Sequence, residues 1–150
     1  MFTKEQLKRQ ITNMGIKSCD TVLIHTSYKS VGEVEGGIDG FIDAFKEYLC
    51  DGLFIIPTHT WDNVTKESPV FDVKTTIPCI GAVPAVAAFR KDGIRSLHPT
   101  HSVWAVGRGA EEFVKGEEFA ETPAPVGGCW SRLADLGAKI LLIGVGNNRN

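Results

Sequence analysis

Hydroxyl groups, a lysine and a glycine follow the first apolar segment of the chain. Residues 27–32 read Ser-Tyr-Lys-Ser-Val-Gly and come shortly after residues 20–24, which have the composition of a buried strand. Hydroxyls, backbone N–H groups and a lysine in such a position are suited to bind a phosphate or an extended, amide-bearing ligand. The spacing is not that of the Walker pattern, G-x-x-x-x-G-K-[ST]. From residue types alone, a binding loop and an ordinary polar exit from a strand stay equally open.

Another polar cluster, at residues 95–102, combines Arg95 with two histidines. The fork of a guanidinium matches phosphate oxygens bidentately, which makes Arg95 a candidate anion-binding residue. His98 and His101 have a spacing that a metal site can use, but no acidic or cysteine ligand lies near them in sequence. Pro99 also prevents a regular helix from placing both rings on one face. A positioning or packing role is therefore favoured, and no metal is expected.

Trp61 and Asp62 begin a segment, residues 61–80, that shows no hydrophobic periodicity. A loop of this length inside a compact domain is uncommon and often functional. An aromatic face beside an anion would suit a cationic sugar, because the face of the ring attracts positive charge. The alternative is that Trp61 is buried at the base of the loop and binds nothing.

Two further motifs give weak signals. Residues 144–149 read Gly-Val-Gly-Asn-Asn-Arg, so that Arg149 stands where the dinucleotide fingerprint G-x-G-x-x-G has its third glycine. A nicotinamide cofactor is therefore disfavoured. The acidic residues between positions 111 and 121 are expected to form a solvated face, as such runs usually do.

The composition excludes several classes of protein. The chain has 150 residues, of which 43% are hydrophobic and 23% charged, as in an ordinary single domain. Its 16 Lys and Arg against 18 Asp and Glu lack the basic surplus typical of nucleic-acid-binding proteins. No apolar run approaches the length of a membrane span, and the N-terminus has no secretory apolar region. We therefore expect a soluble cytoplasmic protein with free cysteine thiols and neither nucleic-acid nor membrane partners.

Hydrophobic patterning predicts an alternation of helices and strands. Strands are predicted over residues 20–24, 53–56, 102–106 and 139–143, and helices after Thr3 and over residues 38–49, 81–90 and 110–115. This order favours a single α/β domain over residues 1–150, with a layered central sheet flanked by helices. Ligands bind beyond the carboxyl ends of strands in such sheets. We therefore expect the tips at residues 25–27, 57–60 and 144–150 to meet at one site.

Taken together, these segments resemble the aminoglycoside 3-N-acetyltransferase family, the antibiotic acetyltransferases that use acetyl-coenzyme A. The resemblance keeps the order of the family and covers nearly the whole chain. The similar segments are residues 15–16, 20–27, 30–32, 53–58, 81–90, 95–102, 105–107, 130–133 and 139–146. Each of them is unspecific by itself, but their occurrence together and in register is not.

The resemblance implies transfer of an acetyl group from acetyl-coenzyme A to the 3-amino group of a 2-deoxystreptamine aminoglycoside. By analogy with the family, the residues that bind acetyl-coenzyme A are Ser27, Tyr28, Lys29, Ser30, Val31, Gly32, Gly81, Arg95 and Ser96. Trp61 and Asp62 become the candidate substrate-binding residues. Another amine acceptor and a homo-oligomeric state stay open, because a family resemblance fixes neither.

The resemblance ends before the catalytic base of the family. There, a catalytic histidine follows the glycine-rich strand tip, a few residues after an asparagine that matches Asn150, and an acidic partner lies further on. The histidines of this chain do not occupy that motif position, so the catalytic residues stay unknown. We expect the chain to be the N-terminal portion of the fold, truncated at its C-terminus. The alternative is a fragment that binds coenzyme A without catalysis.

Overall fold

A mixed five-stranded sheet with helices on both faces forms the computed structural model of the chain. The structure describes residues 1–147, so that Arg149 and Asn150 lie outside the described residues. The strands are β1 (Thr21–Thr26), β2 (Leu53–Pro57), β3 (Ile94–Arg95), β4 (Val103–Gly107) and β5 (Lys139–Ile143), in the spatial order β3-β4-β2-β1-β5. The helices are α1 (Lys4–Asn13), α2 (Tyr28–Val31), α3 (Gly37–Tyr48), α4 (Ala82–Ala87), α5 (Ala110–Val114) and α6 (Cys129–Asp135), with a 3₁₀ turn at Glu117–Phe119. The predicted α/β architecture is confirmed.

Helix α1 begins at the capping box that the sequence predicts. The Thr3 hydroxyl accepts a hydrogen bond from the backbone N–H of Gln6, and the Gln6 side chain accepts one from the N–H of Thr3. Leu7 and Ile11 are buried, and this face of α1 packs against α3. Within residues 1–147, neither α1 nor any other helix has the length and apolar character that crossing a membrane requires.

Strand β1 pairs in parallel with both of its neighbours. Leu23 lies opposite Ile55 of β2 on one side and opposite Ile140 of β5 on the other. Parallel neighbours end at the same edge of a sheet, so their carboxyl-terminal tips lie together. The expected meeting of three strand tips is confirmed as far as the described residues extend, over residues 25–27, 57–60 and 144–147.

The strands contribute to two hydrophobic clusters, one on each face of the sheet. On one face, Phe45 of α3 lies 5.2 Å from Phe54 of β2, and Phe54 lies 6.3 Å from Trp104 of β4, measured between ring centroids. On the other face, Leu23 packs in the cluster that contains Phe113 of α5, together with residues of α6. Burial on both faces explains why β1 and β2 are continuous apolar runs in the sequence.

Three short elements escape the analysis of periodicity. Helix α2 has 4 residues, strand β3 has 2 and helix α6 has 7, and none of these lengths repeats a hydrophobic period often enough to be recognised. The helix predicted over residues 81–90 ends earlier, at Ala87. The other predicted helices and strands are confirmed, with small shifts of their ends.

The expectation of a solvated acidic face is wrong for Glu117. Its side chain is 1% exposed, and its Oε1 accepts a hydrogen bond from the N–H of Cys129 at 2.7 Å. Cys129 is the first residue of α6, where an anion is favourable because the helix dipole presents its positive end. Gly128 leaves the room for this contact, since a Cβ there would lie 2.6 Å from Glu117 Oε1. A residue remote in sequence therefore fixes the start of α6.

Replacing Glu117 by alanine is expected to destabilise the protein by about 1–3 kcal/mol, because the N-terminus of α6 loses its acceptor and a buried volume is emptied. Urea unfolding followed by circular dichroism measures this change. Glu118→Ala is the matched control, since Glu118 lies in the same turn but is exposed, and its effect is expected within about 0.5 kcal/mol of zero. Equal free energies of unfolding for the two variants would contradict the proposed capping role.

Candidate active site

A cavity of about 1490 Å³ lies at the edge of the sheet where the parallel strands end. Its wall combines the tips of β1, β2 and β5, the segment 79–82 and residues of α6. Single drug-sized ligands occupy cavities of about 300–1,000 Å³. The space is therefore sufficient for two ligands side by side, for example one long and one compact molecule.

Six residues singled out from the sequence line this cavity: Ser27, Tyr28, Lys29, Trp61, Asp62 and Gly81. They come from three separate segments of the chain, which the sheet brings together. Ser30 and Val31 lie in α2 and Gly32 follows it, but these three residues do not line the cavity. His25, His59 and His101 also line the cavity. From the sequence, His25 and His59 belong to the predicted strand tips and His101 is weighed as a metal ligand or a packing residue, so none of the three is assigned to a substrate.

The tips of β1 and β5 are held against each other at the rim of the cavity. The N–H of Ser27 donates a hydrogen bond to the carbonyl of Ile143 at 2.9 Å. Gly144 then turns with φ +67°, and a Cβ at this position would lie 2.6 Å from the Cβ of Ser30. Only glycine permits both this backbone conformation and this close approach to α2. The residues Ser27 to Lys29 are thereby fixed relative to the end of β5.

Arg95 is buried beneath the site rather than in its wall. Its guanidinium donates hydrogen bonds to the carbonyls of Thr76 at 2.7 Å and Thr58 at 3.2 Å, and to the hydroxyl of Ser102 at 3.3 Å. The face of the guanidinium lies 5.1 Å from the ring of Phe71. Burial lowers the pKa of Arg95 to about 10, so the group stays charged at neutral pH. These contacts fasten the loop 61–80 to the sheet.

Ser96 has a similar internal role, because its hydroxyl accepts a hydrogen bond from the N–H of Val103 at 3.1 Å. Neither Arg95 nor Ser96 is part of the cavity wall. A guanidinium whose donors are taken up by carbonyls of the protein is not free to receive a phosphate. The assignment of these two residues to acetyl-coenzyme A stays a prediction that the geometry does not support.

Four rings form a contiguous aromatic cluster in the cavity wall. The ring centroid of His59 lies 4.6 Å from that of Trp61, 4.9 Å from that of His101 and 5.2 Å from that of Trp130. Trp61 also lies 5.3 Å from His101. The indole N–H of Trp130 donates to the carbonyl of His101 at 3.2 Å, which ties α6 to the cluster. We call these four residues the histidine–tryptophan cluster.

His59 is the most unusual member of the histidine–tryptophan cluster. Its side chain is buried, and within residues 1–147 neither Nδ1 nor Nε2 has a hydrogen-bond partner. Burial, with smaller contributions from His101 and His25, lowers its pKa to about 3. The imidazole is therefore neutral at physiological pH. The signal in the sequence is its position, since His59 follows the end of β2 as Ser27 follows β1.

His98 differs from His59 because both of its nitrogens are used inside the protein. Nδ1 accepts hydrogen bonds from the N–H groups of Thr100 at 3.2 Å and His101 at 2.9 Å. It therefore carries no proton, and Nε2–H donates to the carbonyl of Thr122 at 3.0 Å. This agrees with the positioning role favoured from the sequence. In the part of the chain that the structure describes, no three His, Cys, Asp or Glu side chains are arranged to hold a metal ion.

The lowered pKa of His59 makes the stability of the fold depend on pH. The unfolded chain binds a proton near pH 6.5 that the folded protein excludes until about pH 3, so the free energy of unfolding is expected to decrease as the pH falls from 6.5. One such group contributes at most about 1.4 kcal/mol per pH unit. Urea unfolding of the wild type and of His59→Gln at about pH 7 and about pH 5 measures this decrease in the free energy of unfolding.

The decrease is expected to be smaller in His59→Gln, since glutamine does not titrate. A residual decrease is expected in that variant, because burial also lowers the pKa values of His25 and His101. Identical pH dependence in the two proteins would show that His59 is not held neutral by the fold.

Known proteins match this chain over almost its entire length. A family model described as aminoglycoside 3-N-acetyltransferase matches residues 23–150. Aminoglycoside N(3)-acetyltransferase III of Serratia marcescens is 26% identical over 96% of this chain, and aminoglycoside N(3)-acetyltransferase IV of a Salmonella species is 29% identical over 99%. The chain spans 60% and 56% of the lengths of these two relatives.

The fold is shared with a solved member of the same group. The crystal structure of aminoglycoside acetyltransferase AAC(3)-IVa, as apoenzyme, matches 98% of this chain with a TM-score of 0.87 and 27% identity, over 56% of its own length. A mutant of that protein has also been solved in complex with a gentamicin. The order of elements, the strand tips at the cavity and the family model agree: the chain belongs to the aminoglycoside 3-N-acetyltransferase family.

Proposed function

We propose that the protein transfers the acetyl group of acetyl-coenzyme A to the 3-amino group of a 2-deoxystreptamine aminoglycoside, an activity that confers antibiotic resistance. The observation that carries this proposal is the large cavity at the meeting of three strand tips, in a chain of this family. The residues that line the cavity include two chemically unlike sets, one with the hydroxyls and ammonium of Ser27, Tyr28 and Lys29, and one of aromatic rings and a carboxylate. Such a division suits two substrates of different chemistry.

The wall formed by Ser27, Tyr28, Lys29 and Gly81 is assigned to acetyl-coenzyme A. Hydroxyls and backbone N–H groups suit the amides of a pantetheine chain, and the exposed ammonium of Lys29 suits a phosphate. The α2 residues Ser30 and Val31, with Gly32, are proposed to support this wall from behind. Among them, Ser30 donates a hydrogen bond to the Ser27 hydroxyl at 3.0 Å and so fixes its orientation.

The second set of cavity residues, which includes Trp61 and Asp62, is assigned to the aminoglycoside. An aminoglycoside carries several ammonium groups, which are attracted by the face of an indole and by a carboxylate. The related AAC(3)-IVa has been solved with a gentamicin, which supports an acceptor of this class. Asp62 is exposed at the mouth of the cavity, where it can meet a cation without a large cost of dehydration.

The proposed chemistry is direct acyl transfer between the two bound molecules. The lone pair of the amine attacks the thioester carbonyl, a C–N bond forms, the C–S bond breaks, and the thiolate of coenzyme A leaves. A base must take the proton from the nitrogen, and hydrogen-bond donors must stabilise the oxyanion of the tetrahedral intermediate. The sequence resemblance assigns the base to a histidine that in the family follows the position of Asn150, the last residue of this sequence. The described residues are proposed to bind and orient both substrates.

A cytoplasmic location is part of this proposal. All four cysteines, Cys19, Cys50, Cys79 and Cys129, are free thiols in the structure. Free thiols are typical of proteins in reducing compartments. Acetyl-coenzyme A and an aminoglycoside that has entered the cell would both reach the protein there.

A pair of substitutions tests the two-wall assignment by release of the coenzyme A thiol with gentamicin as acceptor, using the full-length protein. Asp62→Asn is expected to raise the KM for gentamicin about tenfold, because a charge-assisted hydrogen bond is lost, and to leave the KM for acetyl-coenzyme A unchanged. Lys29→Gln is the matched counterpart, and we expect it to raise the KM for acetyl-coenzyme A instead.

The outcomes separate the alternatives. Thiol release from other amines but from no deoxystreptamine would replace the acceptor and remove the resistance role. Calorimetric binding of acetyl-coenzyme A without thiol release from any amine would indicate a coenzyme A-binding protein without catalysis. If both substitutions affect the same substrate, the assignment of the walls is wrong.

A further inference from the structure

His59 is buried with both polar atoms of its side chain unpaired, and such groups are rare in folded proteins. The ring is 8% exposed, and within the described residues neither nitrogen is hydrogen-bonded. A buried donor and acceptor without partners destabilise the fold, and each such case calls for a physical reason. The ring is nevertheless part of the wall of the large cavity. Its position indicates that the missing partners belong to a ligand.

Trp61 is the most exposed ring of the histidine–tryptophan cluster and lies against His59, with 4.6 Å between the two ring centroids. Trp61 is 42% exposed and begins the loop 61–80, whereas His59 and His101 lie next to the ends of β2 and β4, and Trp130 lies in α6. The indole N–H of Trp130 is fixed by the carbonyl of His101, but Trp61 has no comparable hydrogen bond among the described residues. Trp61 is therefore the ring of the cluster that can move with the least loss of contact.

We propose that His59 is an aminoglycoside-binding residue that Trp61 covers in the unliganded protein and uncovers when the acceptor binds. The ligand then supplies a hydroxyl or ammonium donor to one nitrogen of the ring, while the other nitrogen donates its proton to a ligand oxygen. This inference rests on the proposed function, and it adds a binding residue and a covering ring to the acceptor wall.

The class of ligand follows from the charge and surroundings of the ring. A neutral imidazole accepts a hydrogen bond from a cation or a hydroxyl without repelling it. The indole faces of Trp61 and Trp130 next to it attract ammonium groups, and Asp62 adds a negative charge at the mouth. A polyamine sugar satisfies all of these groups. An adenine nucleotide or a pantetheine chain offers no cation to the aromatic rings.

Substitution of His59 by phenylalanine tests the proposal, because it keeps an aromatic ring of similar size and removes both nitrogens. We expect His59→Phe to melt about 2–4 °C higher than wild type, since two unpaired polar atoms are removed from the interior. We also expect it to bind gentamicin about tenfold more weakly by calorimetry, with the affinity for acetyl-coenzyme A unchanged. Higher stability together with weaker binding is a result that a merely structural residue would not give.

Two variants serve as controls. His59→Gln keeps a donor and an acceptor, and its affinity for gentamicin is expected within about threefold of wild type. His98→Phe removes nitrogens that are paired inside the protein, so its melting temperature is expected to fall rather than rise. Imidazole ¹⁵N chemical shifts add a direct readout, because gentamicin should shift the His59 nitrogens and leave those of His98 in place.

The results that overturn the inference differ from those that overturn the proposed function. If wild type binds gentamicin and His59→Phe binds it equally well, the inference is wrong and the proposed acceptor stands. A lower melting temperature of His59→Phe, with both ligands bound more weakly, would make His59 a structural residue. Absence of aminoglycoside binding by wild type would overturn both.

Discussion

Parallel pairing of β1 with β2 and β5 is the constraint on which the site depends. Side-by-side parallel strands must end at the same edge, and each ends in polar or glycine-rich residues that cannot continue a buried strand. The cavity is the space between these tips. Hydrophobic burial of Leu23 and its neighbours on both faces fixes the register, so the polar tips are held in place by a core that they do not belong to.

The loop that carries Trp61 and Asp62 has no helix or strand of its own, and a buried cation fastens it to the sheet. Arg95 donates to carbonyls of the loop and of the β2 tip, and no carboxylate within residues 1–147 takes part. Removing a guanidinium from water is costly, and several carbonyl acceptors with an aromatic face offset that cost. The arginine therefore anchors the loop that carries Trp61 without lining the cavity itself.

In the proposed role of His59, binding conflicts with stability. The rings of the histidine–tryptophan cluster lie in contact, yet the polar atoms of His59 have no hydrogen-bond partner among the described residues. His98 is close to the cluster in sequence, but both of its nitrogens are hydrogen-bonded inside the protein. The two residues have the same chemistry, and only the tertiary contacts separate a structural imidazole from one that is available to a ligand. Natural proteins tolerate such local costs where function requires them.

The sequence alone specified the α/β class and most element positions, through its continuous apolar runs and the capping box at Thr3. It also specified the family, through the ordered series of family segments. These properties depend on local composition and on the order of segments along the chain. The strand tips predicted where a ligand would bind. Only the tertiary structure separated cavity residues such as Lys29 and Trp61 from Arg95, revealed His59, and placed Glu117 at the start of α6. Burial and hydrogen-bond satisfaction arise from contacts between residues far apart in the chain, so no local pattern encodes them.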